Sequence, residues 1–138
     1  MNFFAVIDTN VLVSALLSKK PDTATVLVMS KVYDGTIVPV FNDEILAEYS
    51  EVLHRGKFNF YEGDILEMIS AIKEIGVNVC ELFEGDVFLP DPKDVVFYRV
   101  ALSVKDTKLI TGNTKHFPIN SIVVTPAEML LLIDKVCR

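Results

Sequence analysis

Short apolar runs with strand character alternate along this chain with stretches of helical periodicity, and few folds accommodate that alternation. Phe3–Ile7 is apolar throughout and stops at Asp8, as in a strand buried on both faces. Residues 10–18 then read as a helix with Asn10 as its N-cap. Pro21 suits a helix start, and Ala24–Tyr33 reads as the second helix, closed by Asp34-Gly35. Further strands are expected at 36–40, 77–82, 108–111 and 121–125. Further helices are expected from Asn42 or Asp43 to His54, from Gly63-Asp64 to Gly76, from Pro92 to Lys105, and from Pro126 onward. Residues 84–90 read as irregular. The expected architecture is a three-layer α/β/α sandwich with a mostly parallel central sheet, forming one domain over residues 1–138.

In such a sheet the chemistry collects just beyond the carboxyl ends of the strands. That rule selects Asp8, the residues after Val40, the loop after Leu82 and the segment after Ile110. A carboxylate at the tip of a buried strand is costly without a partner. Thr9 and Asn10 offer hydrogen bonds, and a cation would offer charge. Taken alone, Asp8 reads equally as a turn residue capping the next helix. Glu48 falls on the edge of the helical stripe formed by Ile45, Leu46, Tyr49, Val52 and Leu53, while Glu44 and Glu51 fall on the solvent side. Its plain reading is a boundary residue with its charge in water. Asp91-Pro92-Lys93-Asp94 opens the next helix in a pattern similar to a capping box, with Asp91 as N-cap. Two carboxylates at one helix start also make a cation site. Thr111-Gly112-Asn113 is a polar turn leaving a short strand, where Gly112 permits close backbone approach or a positive φ. His116 reads as a surface or hydrogen-bonded residue.

Topology brings Asp8, the Asp94 helix start and Asn113 to one sheet edge. Convergent oxygen ligands suit hard cations such as Mg²⁺ or Mn²⁺. Such ions activate water and stabilise charge on a phosphoryl group, so phosphodiester hydrolysis is the natural reaction class.

The net charge of −6 argues against a protein that coats nucleic acid irrespective of sequence. It argues less against a nuclease, whose carboxylates are a local charge that cations neutralise, and it suits a basic partner. The mean hydropathy of +0.40 would fit a membrane protein, but no apolar stretch approaches the ~20 residues a spanning helix needs. The excess reads as a filled core with an additional apolar interface. The N-terminus has no basic region followed by a cleavage site, so no secretory signal is expected. Cys80 and Cys137 form no zinc spacing and read as small buried or terminal hydrophobes, unbridged in a reducing cytoplasm.

These residues together resemble the PIN-domain family over essentially the whole chain. Val6-Ile7-Asp8-Thr9-Asn10-Val11-Leu12 is similar to the family's first strand and helix. Glu44-Ile45-Leu46-Ala47-Glu48-Tyr49 resembles its second acidic motif, Asp91-Pro92-Lys93-Asp94 its third, and Leu109-Ile110-Thr111-Gly112-Asn113 its fourth. The nearest likeness is to the bacterial subgroup of type II toxin–antitoxin toxins. The resemblance implies that Asp8 and Asp94 ligate metal, that Glu48 completes the site directly or through water, and that Thr9, Asn10 and Thr111 orient them. Asp91 is a further carboxylate beside the site. It implies hydrolysis of single-stranded RNA dependent on Mg²⁺ or Mn²⁺, an antitoxin partner and a homodimer, for which Ala24–Tyr33 and the C-terminal helix are the candidate faces. Many relatives carry Asp where this chain has Asn113, and an amide supplies an oxygen without a negative charge. Weaker metal binding is therefore expected.

The main alternative is a catalytically silent PIN fold acting as an RNA-binding or protein-interaction module. A phosphohydrolase using a strand-end Asp as nucleophile usually has a second Asp two residues on, where this chain has Asn10. A dinucleotide-binding domain would need a Gly-rich loop where Asp8-Thr9-Asn10 stands. Lys19, Lys20, Arg55 and Lys115 are the candidate guides for an RNA strand.

Overall fold

The apolar run at the N-terminus becomes the middle strand of a parallel sheet. The structure is a computed structural model and describes residues 2–137; Met1 and Arg138, which end the expected domain, lie outside the described residues. β1 (Phe3–Ile7) pairs in parallel with β2 (Ile37–Phe41) on one side and β4 (Thr107–Ile110) on the other. β3 (Val77–Asn78) extends the sheet beyond β2, and β5 (Val123–Val124) extends it beyond β4. The order is β3-β2-β1-β4-β5. Ala5, Val6 and Ile7 are fully buried, as a strand covered on both faces requires.

The chain runs outward from β1 to β3 on one side and returns to β4 and β5 on the other. Right-handed crossovers then place the connecting helices on opposite faces. α1 (Thr9–Leu17) and α2 (Ala24–Tyr33) join β1 to β2, and α3 (Asp43–Leu53) and α4 (Glu62–Ile75) join β2 to β3. α5 (Val95–Ser103) joins β3 to β4 and packs on β1, β2 and β4. α6 (Pro126–Val136) follows β5 and packs against α2, which also touches α4 and β2. This is the expected α/β/α arrangement. α3 contacts both α1 and α5, which brings its inner face to the carboxyl end of the sheet.

Caps follow the sequence in several places. Asn42 accepts from the Ile45 amide at 2.9 Å to start α3, and Thr125 and Glu128 form a reciprocal capping box on α6. Three expectations need correction. The expected strand at 77–82 stops at Asn78, because β2 ends at Phe41 and offers only one further carbonyl, bonded by the Val79 amide. The chain beyond is held instead by α5: Arg99 donates to the carbonyls of Phe83 and Gly85, and Ser103 accepts from the Phe83 amide. The helix expected from Pro92 begins as a 3-10 turn over Pro92–Asp94 before α5 proper. Cys80 is exposed rather than buried, and both Cys80 and Cys137 are free thiols.

Candidate active site

The strand order reverses between β1 and β4, and this switch point is where a parallel sheet opens a crevice. Asp8 leaves β1 there and Thr111 leaves β4. Thr111, fully buried, donates its hydroxyl to Asp8 Oδ2 at 2.8 Å. Asn10 Nδ2 donates to the same oxygen at 3.1 Å, and Asn10 Oδ1 accepts from the Gly112 amide at 3.0 Å. Asn10 is therefore not the N-cap of α1. Asp8 occupies that position, with Asn10 inside the helix, its side chain free to bridge the two strand ends. Asp8 thus stands where the plain turn-residue reading put it, but its side chain makes no capping bond among the described residues.

Gly112 has no positive φ, and a Cβ there would lie 3.4 Å from Asn10 Oδ1. That is ordinary van der Waals contact, so neither the close approach nor the positive φ expected of this glycine is found.

Asp8 is only 6% exposed. Burial pushes its carboxyl up to about 6, against the lowering influence of the Thr111 hydrogen bond, with the Asp94 charge raising it further. Glu48 stands half-buried on the inner edge of α3, where the periodicity put it, and accepts from the Thr9 hydroxyl at 2.5 Å. Its carboxyl is raised by burial and by the Asp8 charge, opposed by the Thr9 bond. Asp94 is raised by burial, then by Asp91, and its Oδ2 lies 3.1 Å from His116 Nδ1. Asp8, Glu48 and Asp94 thus feel one another's charge, although they come from β1, α3 and the start of α5.

The remaining candidates are placed less centrally. Asp91 accepts from the Lys93 amide at 3.0 Å and caps the 3-10 turn. The expected reciprocal box does not form, because the Asp94 side chain turns to His116. Asn113 donates its backbone amide to Thr111 Oγ1 at 3.0 Å, while its side chain is exposed. Lys19 and Lys20 sit in the exposed turn after α1, and Lys115 is exposed in the 3-10 turn Thr114–His116 that follows Asn113. Arg55 fits better: it lines a cleft of about 320 Å³ beside Glu48, with Glu51 and Lys93 also on its walls.

The family model described as PIN domain matches residues 5–115. The chain belongs to the PIN-domain family. No curated protein and no solved structure matches it. PIN domains are generally nucleases, and PIN-domain nucleases usually use divalent metals. The matched stretch contains every candidate residue named above and leaves out β5 and α6.

Among the described residues, no three acidic, histidine or cysteine side chains already form a metal cage. The donor chemistry of this PIN domain nonetheless fits a hard cation. Three carboxylates crowd one crevice with their acidities weakened by burial and by each other, and a positive charge would relieve both penalties. Mg²⁺ takes one or two carboxylates and keeps several waters, so a closed cage is not required.

The sequence pointed to these acids but missed Tyr49. It was readable only as part of the apolar stripe of α3, yet its hydroxyl donates to the Ile7 carbonyl at 2.5 Å, and its proton is held well above the ordinary phenol range by burial and by Asp8 and Glu48. A tyrosine on an otherwise aliphatic buried stripe must place its hydroxyl, and that was the available signal. Lys93 was also missed. It lowers the Glu48 carboxyl from across the cleft. Among the described residues, no helix is long and apolar enough to cross a membrane.

Proposed function

We propose that this PIN domain is a metal-dependent endoribonuclease that cuts single-stranded RNA, with Asp8, Glu48 and Asp94 holding Mg²⁺ or Mn²⁺. The observation that carries the reading is the mutual electrostatic coupling of three buried or half-buried carboxylates at the switch point of the sheet. When bound, the cation activates water for attack on phosphorus and neutralises charge on the phosphodiester. Thr9, Asn10 and Thr111 hold the carboxylate oxygens in place, so little side-chain ordering remains when the site fills. Lys93 and Arg55, set among Glu44, Glu48 and Glu51 in the lining of the cleft, supply the cations for RNA phosphates. Asn113 supplies an uncharged oxygen donor at the rim.

The family resemblance extends this reading to a cytoplasmic toxin neutralised by an antitoxin protein, acting as a homodimer. Leu27, Tyr33 and Leu131 stay exposed on α2 and α6, the two helices expected at that interface. Labelled single-stranded RNA, incubated with Mn²⁺, Mg²⁺ or EDTA, tests the activity. Cleavage is expected with metal, and loss of cleavage is expected in EDTA and in Asp8→Asn. Intact RNA after incubation with folded, metal-loaded wild type would transfer the weight to a silent binding module.

A further inference from the structure

The loop between α3 and α4 has a composition unlike the rest of the chain. Between Glu51 and Glu62 it carries two full cations, Arg55 and Lys57, and no carboxylate, in a protein of net charge −6. It also carries Phe58, Phe60 and Tyr61. The rings of Phe58 and Phe60 are stacked, 5.2 Å between centroids and 8° between planes, and Lys57 Nζ sits 5.1 Å from the Phe58 centroid. Phe60 packs partly against the core and anchors the pair, while Tyr61 is 75% exposed.

Two features fix this loop in place. His54 Nε2 and Glu62 Oε2 lie 2.6 Å apart and staple its ends, and Asn59 at the bend adopts φ 51°, a left-handed conformation that asparagine tolerates better than most residues. The aromatic faces are therefore preorganised, which lowers the entropic cost of receiving a ligand. The loop also continues the candidate site. Arg55, two residues past the end of α3, lines the same cleft as Glu48 and lies 3.6 Å from Glu51 Oε1 on its wall.

A burial role explains Phe60 but not an exposed tyrosine and a cation over the Phe58 ring of the stacked pair. Flat aromatic faces interleaved with cations are what a single strand needs: every base has a face to stack, and every phosphate needs a positive partner. We infer that the α3–α4 loop is a base-stacking and phosphate-contacting subsite that delivers single-stranded RNA to the acidic crevice. This rests on the ribonuclease reading for its direction, toward Glu48, and on the loop itself for its ligand.

The test is fluorescence anisotropy of a labelled oligoadenylate with the full chain in EDTA, beside an RNA duplex of the same length. The single strand should bind more tightly than the duplex. Tyr61→Ala should weaken it roughly fivefold or more, while Tyr61→Phe keeps the affinity because the ring survives. Lys57→Ala should lower the slope of log affinity against log salt by roughly 0.7. Circular dichroism of each variant establishes that it is folded, and both positions are exposed enough to tolerate change. Equal affinity for strand and duplex, or wild-type affinity in Tyr61→Ala and Lys57→Ala, would overturn the subsite. A polyglutamate chain binding as tightly as the RNA would overturn it in favour of an acidic protein partner. Cleavage with Mn²⁺ is scored separately. Loop-dependent binding without cleavage upholds the subsite and sinks the ribonuclease reading; cleavage with loop-independent binding does the reverse.

Discussion

The Thr111 hydroxyl reaches Asp8 Oδ2 over 2.8 Å, joining two strand ends that lie 103 residues apart in the chain. The same hydroxyl oxygen accepts from the Asn113 amide and, more distantly, from Asn10 Nδ2. One threonine thus fixes the central carboxylate and the turn that follows β4. Thr111→Val keeps the volume and removes the donor. It is expected to cost about 2 kcal/mol at neutral pH, the range for a buried hydrogen bond to a charged group, and to reduce RNA cleavage. Urea unfolding in EDTA measures the first. A variant as stable as wild type at pH 7 would show that Asp8 does not depend on this bond.

Asp8 itself is expected to reduce stability in the absence of metal. The folded protein keeps its proton up to about pH 6, whereas the unfolded chain releases it near 3.8. Across that window the folded state binds more protons, so stability falls as pH rises. The penalty is absent well below 3.8 and complete above 6. A shift of this size corresponds to roughly 2–3 kcal/mol. Asp8→Asn keeps an oxygen for Thr111 and Asn10 but carries no charge. It should be more stable than wild type at pH 7, lose that advantage progressively toward pH 4, and be inactive. Unfolding curves at both pH values in EDTA decide this. Excess Mn²⁺ should raise the stability of wild type and leave Asp8→Asn nearly unchanged.

Where local chemistry decides the structure, the sequence was readable. Phe3–Ile7 shows a buried strand because every residue is apolar, and Asn42 shows a cap because its side chain outcompetes a helical turn. A rule about strand ends gathered Asp8 and the Asp94 helix start, whereas the helical stripe read Glu48 as a boundary residue and only the family resemblance put it in the site; the fold does bring the three within one another's fields. Asn10 was misread because capping preference is local, whereas its side chain is claimed by Gly112, 102 residues away. The length of β3 was misread for a similar reason. Alternation in 77–82 states a preference for extended backbone, but a strand also needs a neighbour, and β2 ends at Phe41. Tyr49 was read as packing because periodicity reports the face on which a side chain lies, not the partner its hydroxyl finds.

Tyr49 ties the inner face of α3 to the carboxyl end of β1, one residue before Asp8. Tyr49→Phe preserves the ring and its contact with Phe97, whose centroid lies 6.2 Å away. Only the hydroxyl is lost, which should cost about 1 kcal/mol in unfolding free energy. Because the strand tip carries Asp8, the variant should also cleave RNA more slowly while remaining folded. Unchanged stability together with unchanged cleavage would reduce Tyr49 to a core residue.

Asn113 is the position where an added charge should matter most. Its backbone amide is bonded to Thr111 Oγ1, itself bonded to Asp8, so its side chain starts from the rim of the carboxylate cluster. Asn113→Asp would add a further carboxylate to a site already crowded with them. Without a cation the new charge gains little, because the side chain is exposed and water solvates it. With a cation it adds a charged ligand, and hard cations bind more tightly as the number of carboxylates rises. The variant should therefore keep wild-type stability in EDTA, bind Mn²⁺ several-fold more tightly by calorimetry, and cleave RNA faster at limiting metal. Unaltered Mn²⁺ affinity in a folded Asn113→Asp protein would place residue 113 outside the metal site.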